Sequence, residues 1–253
     1  MTQTIVLTGA SSGIGAALAA EYAGPGRAML LIARDADRLG ATAEAARAAG
    51  AEVETALVDV TDADAMRATI LDYDDRQPVD LVIANAGVSR SGLPEPQGQA
   101  KWVTEVNFFG VLNTVEPLIP RMIARRSGQV AVVSSIAALR PLGDLPSYSA
   151  SKAAVRAYGQ AIRSKLRGSG VAVTVICPGF VTTPMTDAHH GYKPFEMRAD
   201  KAAGLIRRAI EARRGALTFP WALSALTFLG NRLPPFLSDW FERRFAAEVR
   251  PKE

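Results

Sequence analysis

Short apolar runs alternate with longer stretches of helical periodicity along most of the chain. The apolar runs fall at residues 5–7, 28–33, 79–84, 130–133 and 171–176, with a loosely alternating stretch at 53–58 and a last candidate at 216–219. Continuous apolar runs of strand length suit strands that helices cover on both sides. Helical patterns span residues 16–23, 36–49, 63–76, 98–124, 148–168 and 199–213, and Asp62 is placed to cap the third of them. The stretch 98–124 carries apolar residues over more than one face, which predicts one long, widely buried helix. Six or seven strands alternating with helices define an α/β fold, a doubly wound, Rossmann-type parallel sheet with helices on both faces.

Two segments depart from this alternation. Residues 185–198 lack periodicity and hold Gly191, Tyr192, Pro194, Phe195 and Met197, as expected of a substrate flap over a pocket. Residues 220–246 form an apolar extension in which Pro220 and Pro235 stand where helices start. Two short C-terminal helices are expected there, serving as a pocket lid, a subunit interface or, less favoured, a peripheral membrane contact. The length of 253 residues suits a single domain over 1–253.

Composition narrows the partners. The net charge of +4 is dispersed along the chain, so no nucleic acid is expected. Cys177 is the sole cysteine and reads as a buried strand-end residue, unable to form an intrachain disulfide. No secretory leader pattern opens the sequence, and no apolar run approaches the roughly 20 residues that span a bilayer, which points to a cytoplasmic protein. His189 and His190 are adjacent but have no clustered partners, so no metal site is expected.

Candidate chemistry gathers at the carboxyl ends of the strand candidates, where open α/β sheets bind ligands. After the first strand comes Thr8-Gly-Ala-Ser-Ser-Gly-Ile-Gly15, leading into a helix. Gly9, Gly13 and Gly15 let a backbone turn approach a pyrophosphate, with Ser11, Ser12 and Ile14 between them at the helix start. Arg34 follows the second strand, at the position that meets an adenosine ribose. An arginine there suits a 2′-phosphate, while neighbouring Asp35 pulls the other way. Asp59 ends the third strand facing the adenine side. Asn85-Ala86-Gly87 ends the fourth, either letting the backbone run beside a flat ligand or serving as ordinary turn residues. Ser134 and Ser135 end the fifth. Tyr148 and Lys152 lie four apart, one helical turn from each other. A free phenol has a pKa of about 10. A neighbouring ammonium favours phenolate, so that Tyr148 can exchange a proton with a substrate oxygen.

TGASSGIG at 8–15, NAG at 85–87, Asn107, Ser135, YSASK at 148–152 and PGFVTT at 178–183 occur in this order. The chain thereby resembles the short-chain dehydrogenase/reductase family, in its compact branch, over residues 4–219. That resemblance implies reversible hydride transfer between a nicotinamide C4 and a carbonyl or secondary alcohol. It implies Tyr148 as general acid/base, with Lys152 lowering its pKa and holding the nicotinamide ribose. Ser135 would orient and polarise the substrate oxygen, and Asn107 would hold a water linking Lys152 to solvent. Thr183 would meet the nicotinamide carboxamide, with Pro178, Gly179 and Val181 beside it. Asp59, Val60, Asn85, Ala86 and Gly87 would line the adenine and ribose path. Ala84 replaces a frequent asparagine, and Ser12 stands where many NADP users carry a basic residue. The preference for NADP(H) over NAD(H) therefore rests on Arg34. The expected substrate wall is Ser135, Ala137, Arg140, Leu142, Leu145, Phe180, Met185, Tyr192 and Phe195, largely apolar, for a small-molecule carbonyl or alcohol. Family resemblance also implies a homodimer or homotetramer through the helices at 98–124 and 148–168. The rival reading is an inactive NADP(H)-binding sensor or scaffold, which would have no need of Asn107, Ser135, Tyr148 and Lys152 together.

Overall fold

The computed structural model describes residues 3–90, 95–187, 193–223 and 225. Its first half runs β1 (Gln3–Thr8), α1 (Gly13–Tyr22), β2 (Arg27–Ala33), α2 (Ala36–Ala48), β3 (Glu52–Leu57), α3 (Ala63–Arg76) and β4 (Leu81–Ala84). The second half begins with α4 (Gln99–Thr104), a π-helical turn (Glu105–Phe109), α5 (Gly110–Val115), α6 (Ile119–Arg125) and β5 (Gly128–Val133). After a 3₁₀ turn (Ile136–Ala138) come α7 (Pro146–Lys165), β6 (Val171–Pro178), β7 (Val181–Thr182), α8 (Pro184–Asp187), β8 (Met197–Arg198), α9 (Ala199–Glu211) and β9 (Ala216–Phe219).

Seven strands pair in the order β3-β2-β1-β4-β5-β6-β9, all parallel. The chain leaves β3 at one edge and returns to β4 beside β1. Strand order reverses there, opening a crevice at the carboxyl ends of β1 and β4. Alternate residues feed two cores. Ile5, Leu7, Leu31 and Ile83 pack with α1, α2 and α9, while Val6, Leu30, Val82 and Val132 pack with α3, α5 and α7. Burial on both faces explains why these strands read as unbroken apolar runs. β3 lies at the edge and is mostly exposed, which explains its weaker pattern.

The helix expected over 98–124 is not continuous. It is α4, the π turn, α5 and α6, because Pro120 in the first turn of α6 lacks an N–H and cannot extend the preceding helix. The π turn places the buried Asn107. Strand β4 starts at Leu81 rather than at residue 79, since the Asp80 carboxylate accepts from the Thr4 N–H at 2.9 Å. The expected flap is fastened at its far end, where Met197 and Arg198 pair with Val181 and Thr182. His189, His190 and Tyr192 lie outside the described residues, as does most of the 220–246 extension. Among the described residues, no helix is long and apolar enough to cross a membrane. No cluster of three His, Cys, Asp or Glu side chains that could hold a metal occurs among them either.

Candidate active site

The turn after β1 is tightly enclosed. Gly9 and Gly13 have φ of +68° and +54°. A Cβ on Gly9 would come within 2.8 Å of Ala86 Cα, and one on Gly13 within 3.0 Å of Thr183 Cγ2. The segments after β4 and β7 thus press on the glycine turn from both sides. Ser12 caps α1 without a side-chain hydrogen bond, and no acidic residue lies in the first turn. The helix's free N–H groups and positive dipole end therefore suit an anion. A cradle that only glycine permits, beside an uncapped helix start, fits the pyrophosphate of a dinucleotide.

An open cleft of about 650 Å³ extends from this turn along the strand ends. Gly9, Ser11, Ser12, Gly13, Ile14, Asn85, Ala86 and Gly87 line it, as do Val60, Pro178, Gly179, Val181 and Thr183. Gly15 does not, which corrects the expectation. A Cβ there would fall 2.0 Å from the Gly9 carbonyl oxygen, so Gly15 lets α1 pack against the turn.

At the β2 end stand two cations. Arg34 pairs with Asp59 at 3.0 Å, and Arg38 pairs with Asp35 at 2.8 Å. Asp35 caps α2 by accepting from the Arg38 N–H, and these bonds to Arg38 hold its carboxyl below the usual range. Burial alone would raise the Asp59 carboxyl, but hydrogen bonds from Thr61 and Arg34 outweigh it and keep the group low. The sequence reading missed Arg38, which also lines the cleft. Its signal was the spacing of three from a helix-capping aspartate.

At the other end β5 delivers two serines with different duties. Ser134 is buried and donates Oγ–H to the Lys152 carbonyl at 2.7 Å, tying β5 to α7. Ser135 accepts from the Ala137 N–H at 3.1 Å and shares a hydrogen bond with the Tyr148 hydroxyl. α7 begins at Pro146, so Tyr148 lies in its first turn and Lys152 in its second. The Lys152 ammonium, 4% exposed, donates to the Val133 carbonyl at 2.9 Å and lies 5.8 Å from the Tyr148 ring centre. Burial pulls Lys152 down to about 8, partly opposed by the nearby Cys177 thiol. Burial raises the Tyr148 phenol, with the Ser135 bond acting the other way. The expected lowering of the phenol by the ammonium is thus not what this geometry gives, because desolvation dominates both groups. Cys177 is buried at the end of β6, and burial raises its thiol.

Asn107 is fully buried and does not line the cleft. Its Oδ1 accepts from the Val88 N–H at 2.7 Å. Its Nδ2 donates to the Val88 carbonyl and to Ser151 Oγ, each at 3.0 Å. The side chain therefore braces the loop after β4 against α7. A Cβ on Gly87 would lie 3.2 Å from both Asn107 Oδ1 and Lys152 Nζ, so that loop passes directly over the pair.

The expected substrate wall is only partly in place. Ser135 and Met185 line the cleft. Ala137 and Leu145 are buried, a correction that follows from the 3₁₀ turn drawing Ala137 inward and from Leu145 sitting at the start of α7. Leu142 donates its N–H to Ser149 Oγ at 3.0 Å, and with Arg140 and Phe180 it is partly buried away from the cleft lining. Phe195 is exposed and also lies outside the lining.

Comparison with known proteins agrees with this architecture. The sequence matches the family model for short chain dehydrogenases over residues 3–191. It is 36% identical to an uncharacterized oxidoreductase of Myxococcus xanthus, covering 96% of this chain and 97% of that protein. It is 33% identical to the 1-deoxy-11-beta-hydroxypentalenate dehydrogenase of Streptomyces exfoliatus, covering 84% and 81%. In fold it resembles a Sphingobium yanoikuyae short-chain dehydrogenase solved with NADPH, with TM-score 0.81 and 23% identity over 99% of both chains. A Mycobacterium paratuberculosis short chain dehydrogenase bound to NAD gives TM-score 0.76 and 24% identity, covering 86% and 95%.

Proposed function

The chain belongs to the short-chain dehydrogenase/reductase family of NAD(P)-dependent oxidoreductases, and we propose that it uses NADP(H) to reduce a largely apolar carbonyl compound, or oxidise the matching secondary alcohol, with Tyr148 as proton donor and acceptor. The observation that carries this reading is the meeting of Ser135, Tyr148 and Lys152 in the same cleft that the glycine turn lines. A nicotinamide held in this cleft would supply or accept the hydride. Ser135 orients the substrate oxygen beside the Tyr148 hydroxyl, with which it already shares a hydrogen bond. Tyr148 gives that oxygen its proton in reduction and takes it back in oxidation. A phenol whose pKa burial raises carries its proton at neutral pH, which favours the donor role and thus reduction. Lys152 positions its ammonium beside the Gly87 loop, where a ribose would lie.

The preference for NADP(H) is supported by two guanidinium groups, Arg34 and Arg38, at the ribose end. Asp35, which would otherwise favour a free 2′-hydroxyl, is occupied as the cap of α2. Fold neighbours carry NADPH in one case and NAD in another, so the fold accommodates either. The named Streptomyces relative supports an alcohol or ketone substrate. Trp102, Phe109 and Ile123 are exposed apolar side chains on the segment from α4 to α6. They support a homodimer or homotetramer through that surface.

The test is a panel of ketones and aldehydes assayed with NADPH and NADH, together with Tyr148→Phe. The variant should bind NADPH like the wild type and lose roughly 10²- to 10⁴-fold in turnover. Near-native turnover in Tyr148→Phe defeats the proton-transfer role. NADPH binding by the wild type without turnover across the panel supports the sensor reading instead.

A further inference from the structure

The first turn of α7 carries Tyr148 but has no cap of its own. Leu145 at the cap position makes no side-chain hydrogen bond, and Pro146 has no N–H to offer. The cap comes from elsewhere. Glu95, 52 residues earlier, accepts on Oε1 from the Ser147 N–H at 3.2 Å and from the Ser147 hydroxyl at 2.6 Å. A carboxylate at the N-terminus of a 20-residue helix is favourably placed against its dipole. Ser147 is buried and immediately precedes Tyr148.

Glu95 is presented stiffly. Pro96 follows it and restricts its backbone to extended conformations. The Gln99 N–H donates to the Pro96 carbonyl at 3.0 Å, and the buried Gln99 amide donates to the Arg90 carbonyl at 3.0 Å. The same stretch is anchored on its other side, where Asn107 clasps Val88 at the cleft. The chain after β4 therefore touches the cleft at Val88 and, at Glu95, holds the base of the Tyr148 turn through Ser147.

We propose that Glu95 is a positioning residue for Tyr148, fixing the first turn of α7 through Ser147 so that the phenol meets the Ser135 hydroxyl. The inference rests on the role of Tyr148 proposed above. Glu95 is not among the residues that line the cleft. Its loss should therefore alter turnover and leave cofactor affinity alone.

The experiment compares Glu95→Ala, Glu95→Gln, Ser147→Ala and the Glu95→Ala/Ser147→Ala double variant. Each is assayed for acetophenone reduction with NADPH, and hydrogen exchange is followed at the amides of residues 147–152. Glu95→Ala should lower kcat about ten-fold, with KM for NADPH within about two-fold, because a small misplacement of a reacting group is enough for such a loss. Exchange in the first turn of α7 should quicken in parallel. Glu95→Gln keeps an oxygen acceptor at the same reach and should recover most of the turnover. The double variant should be no worse than Glu95→Ala, since Glu95→Ala already removes both bonds that Ser147 makes to it. Wild-type kcat in folded Glu95→Ala overturns the proposal, as does an equal fall in kcat and NADPH affinity or full additivity in the double variant. Should Glu95→Ala fail to fold, Ser147→Ala, which deletes the shorter of the two bonds, takes its place: wild-type kcat and exchange there overturn the proposal, and a lowered kcat with quicker exchange and unchanged NADPH affinity sustains it. Tyr148→Phe run alongside separates this inference from its premise. Turnover lost there but kept in Glu95→Ala refutes only the clamp, whereas turnover kept in Tyr148→Phe refutes both.

Discussion

Arg34 and Asp59 face each other at the mouth of the cleft, Nη1 to Oδ2 at 3.0 Å, with both side chains substantially open to solvent. A pair so exposed contributes at most about 1 kcal/mol, so the guanidinium can be recruited by a stronger anion at little cost. A charged hydrogen bond to a phosphate is worth about 1.5–3 kcal/mol. At about 1.4 kcal/mol per decade, Arg34→Ala should raise KM for NADPH about ten- to hundred-fold. KM for NADH should change by no more than about three-fold, and Arg38→Ala should shift the NADPH value in the same direction. Equal changes for the two cofactors would remove Arg34 from any role in choosing between them.

Lys152 makes stability depend on pH in a defined direction. Its pKa is about 8 in the folded chain against an ordinary 10.5, so between those values the unfolded state binds the extra proton. Stability therefore rises with pH across that window, and below about 8 the buried ammonium costs the fold its full penalty, roughly 3 kcal/mol at 1.36 kcal/mol per unit. Lys152→Met removes this dependence. The stability difference between the variant and its parent should shrink by about that amount from pH 7 to pH 10.5, measured by urea unfolding. Cys177 lies close enough to interact and has a raised pKa of its own, so its titration works the opposite way above its ordinary 9.0. The comparison belongs in a Cys177→Ala background. A difference that stays constant with pH would mean that the folded chain does not depress Lys152.

What the sequence made legible and what it did not divide along contact range. Strands β1, β2 and β5 and the glycine turn are local patterns, and periodicity finds them without knowledge of the fold. The Tyr148 and Lys152 spacing is likewise local to α7. Asp35 illustrates the limit, because beside Arg34 it reads as a rival ribose ligand until the start of α2 shows it to be a helix cap. The interruption of the 98–124 helix was signalled by Pro120, but apolar residues on several faces hid it. Asn107 and Glu95 act through Val88 and Ser147, partners 19 and 52 residues away, for which no periodicity or spacing exists. The substrate wall was least legible, since whether Ala137 or Leu145 faces the cleft depends on how one short turn is rotated.

Two glycines in helices should respond oppositely to alanine. A Cβ on Gly15 would meet the Gly9 carbonyl oxygen at 2.0 Å and Asn85 Nδ2 at 2.7 Å, so α1 must move away from the turn. Gly15→Ala should lose several kcal/mol of stability, in the range of about 3 or more for overpacking against backbone, and should lose NADPH binding with it. Gly40 lies inside α2 with open space around it. Gly40→Ala should stabilise by about 0.5–1 kcal/mol and leave turnover unchanged. Thermal unfolding of both variants checks this, and a Gly15→Ala protein as stable as the wild type would refute the packing role.

Phe109 tests the proposed assembly. It ends the π turn, is 50% exposed, and packs edge-on against Phe108 at 5.5 Å, which in turn meets Tyr158 on α7 at 6.3 Å. The aromatic row thus joins the two helical segments expected to form subunit contacts, and its outermost ring is the one left facing solvent. Burying the exposed half of such a ring against a partner contributes about 1–1.5 kcal/mol per subunit, while a charge in its place is costly to desolvate without a counterion. If the proposed oligomer forms, Phe109→Lys should therefore shift the protein from the mass of that oligomer towards 26.9 kDa in light scattering, with thermal stability at the monomer level little changed. Because the side chain stands clear of the cleft lining, NADPH binding should persist in the dissociated form. A wild type that already runs at monomer mass, or a Phe109→Lys variant with unaltered mass, would move the interface away from this surface.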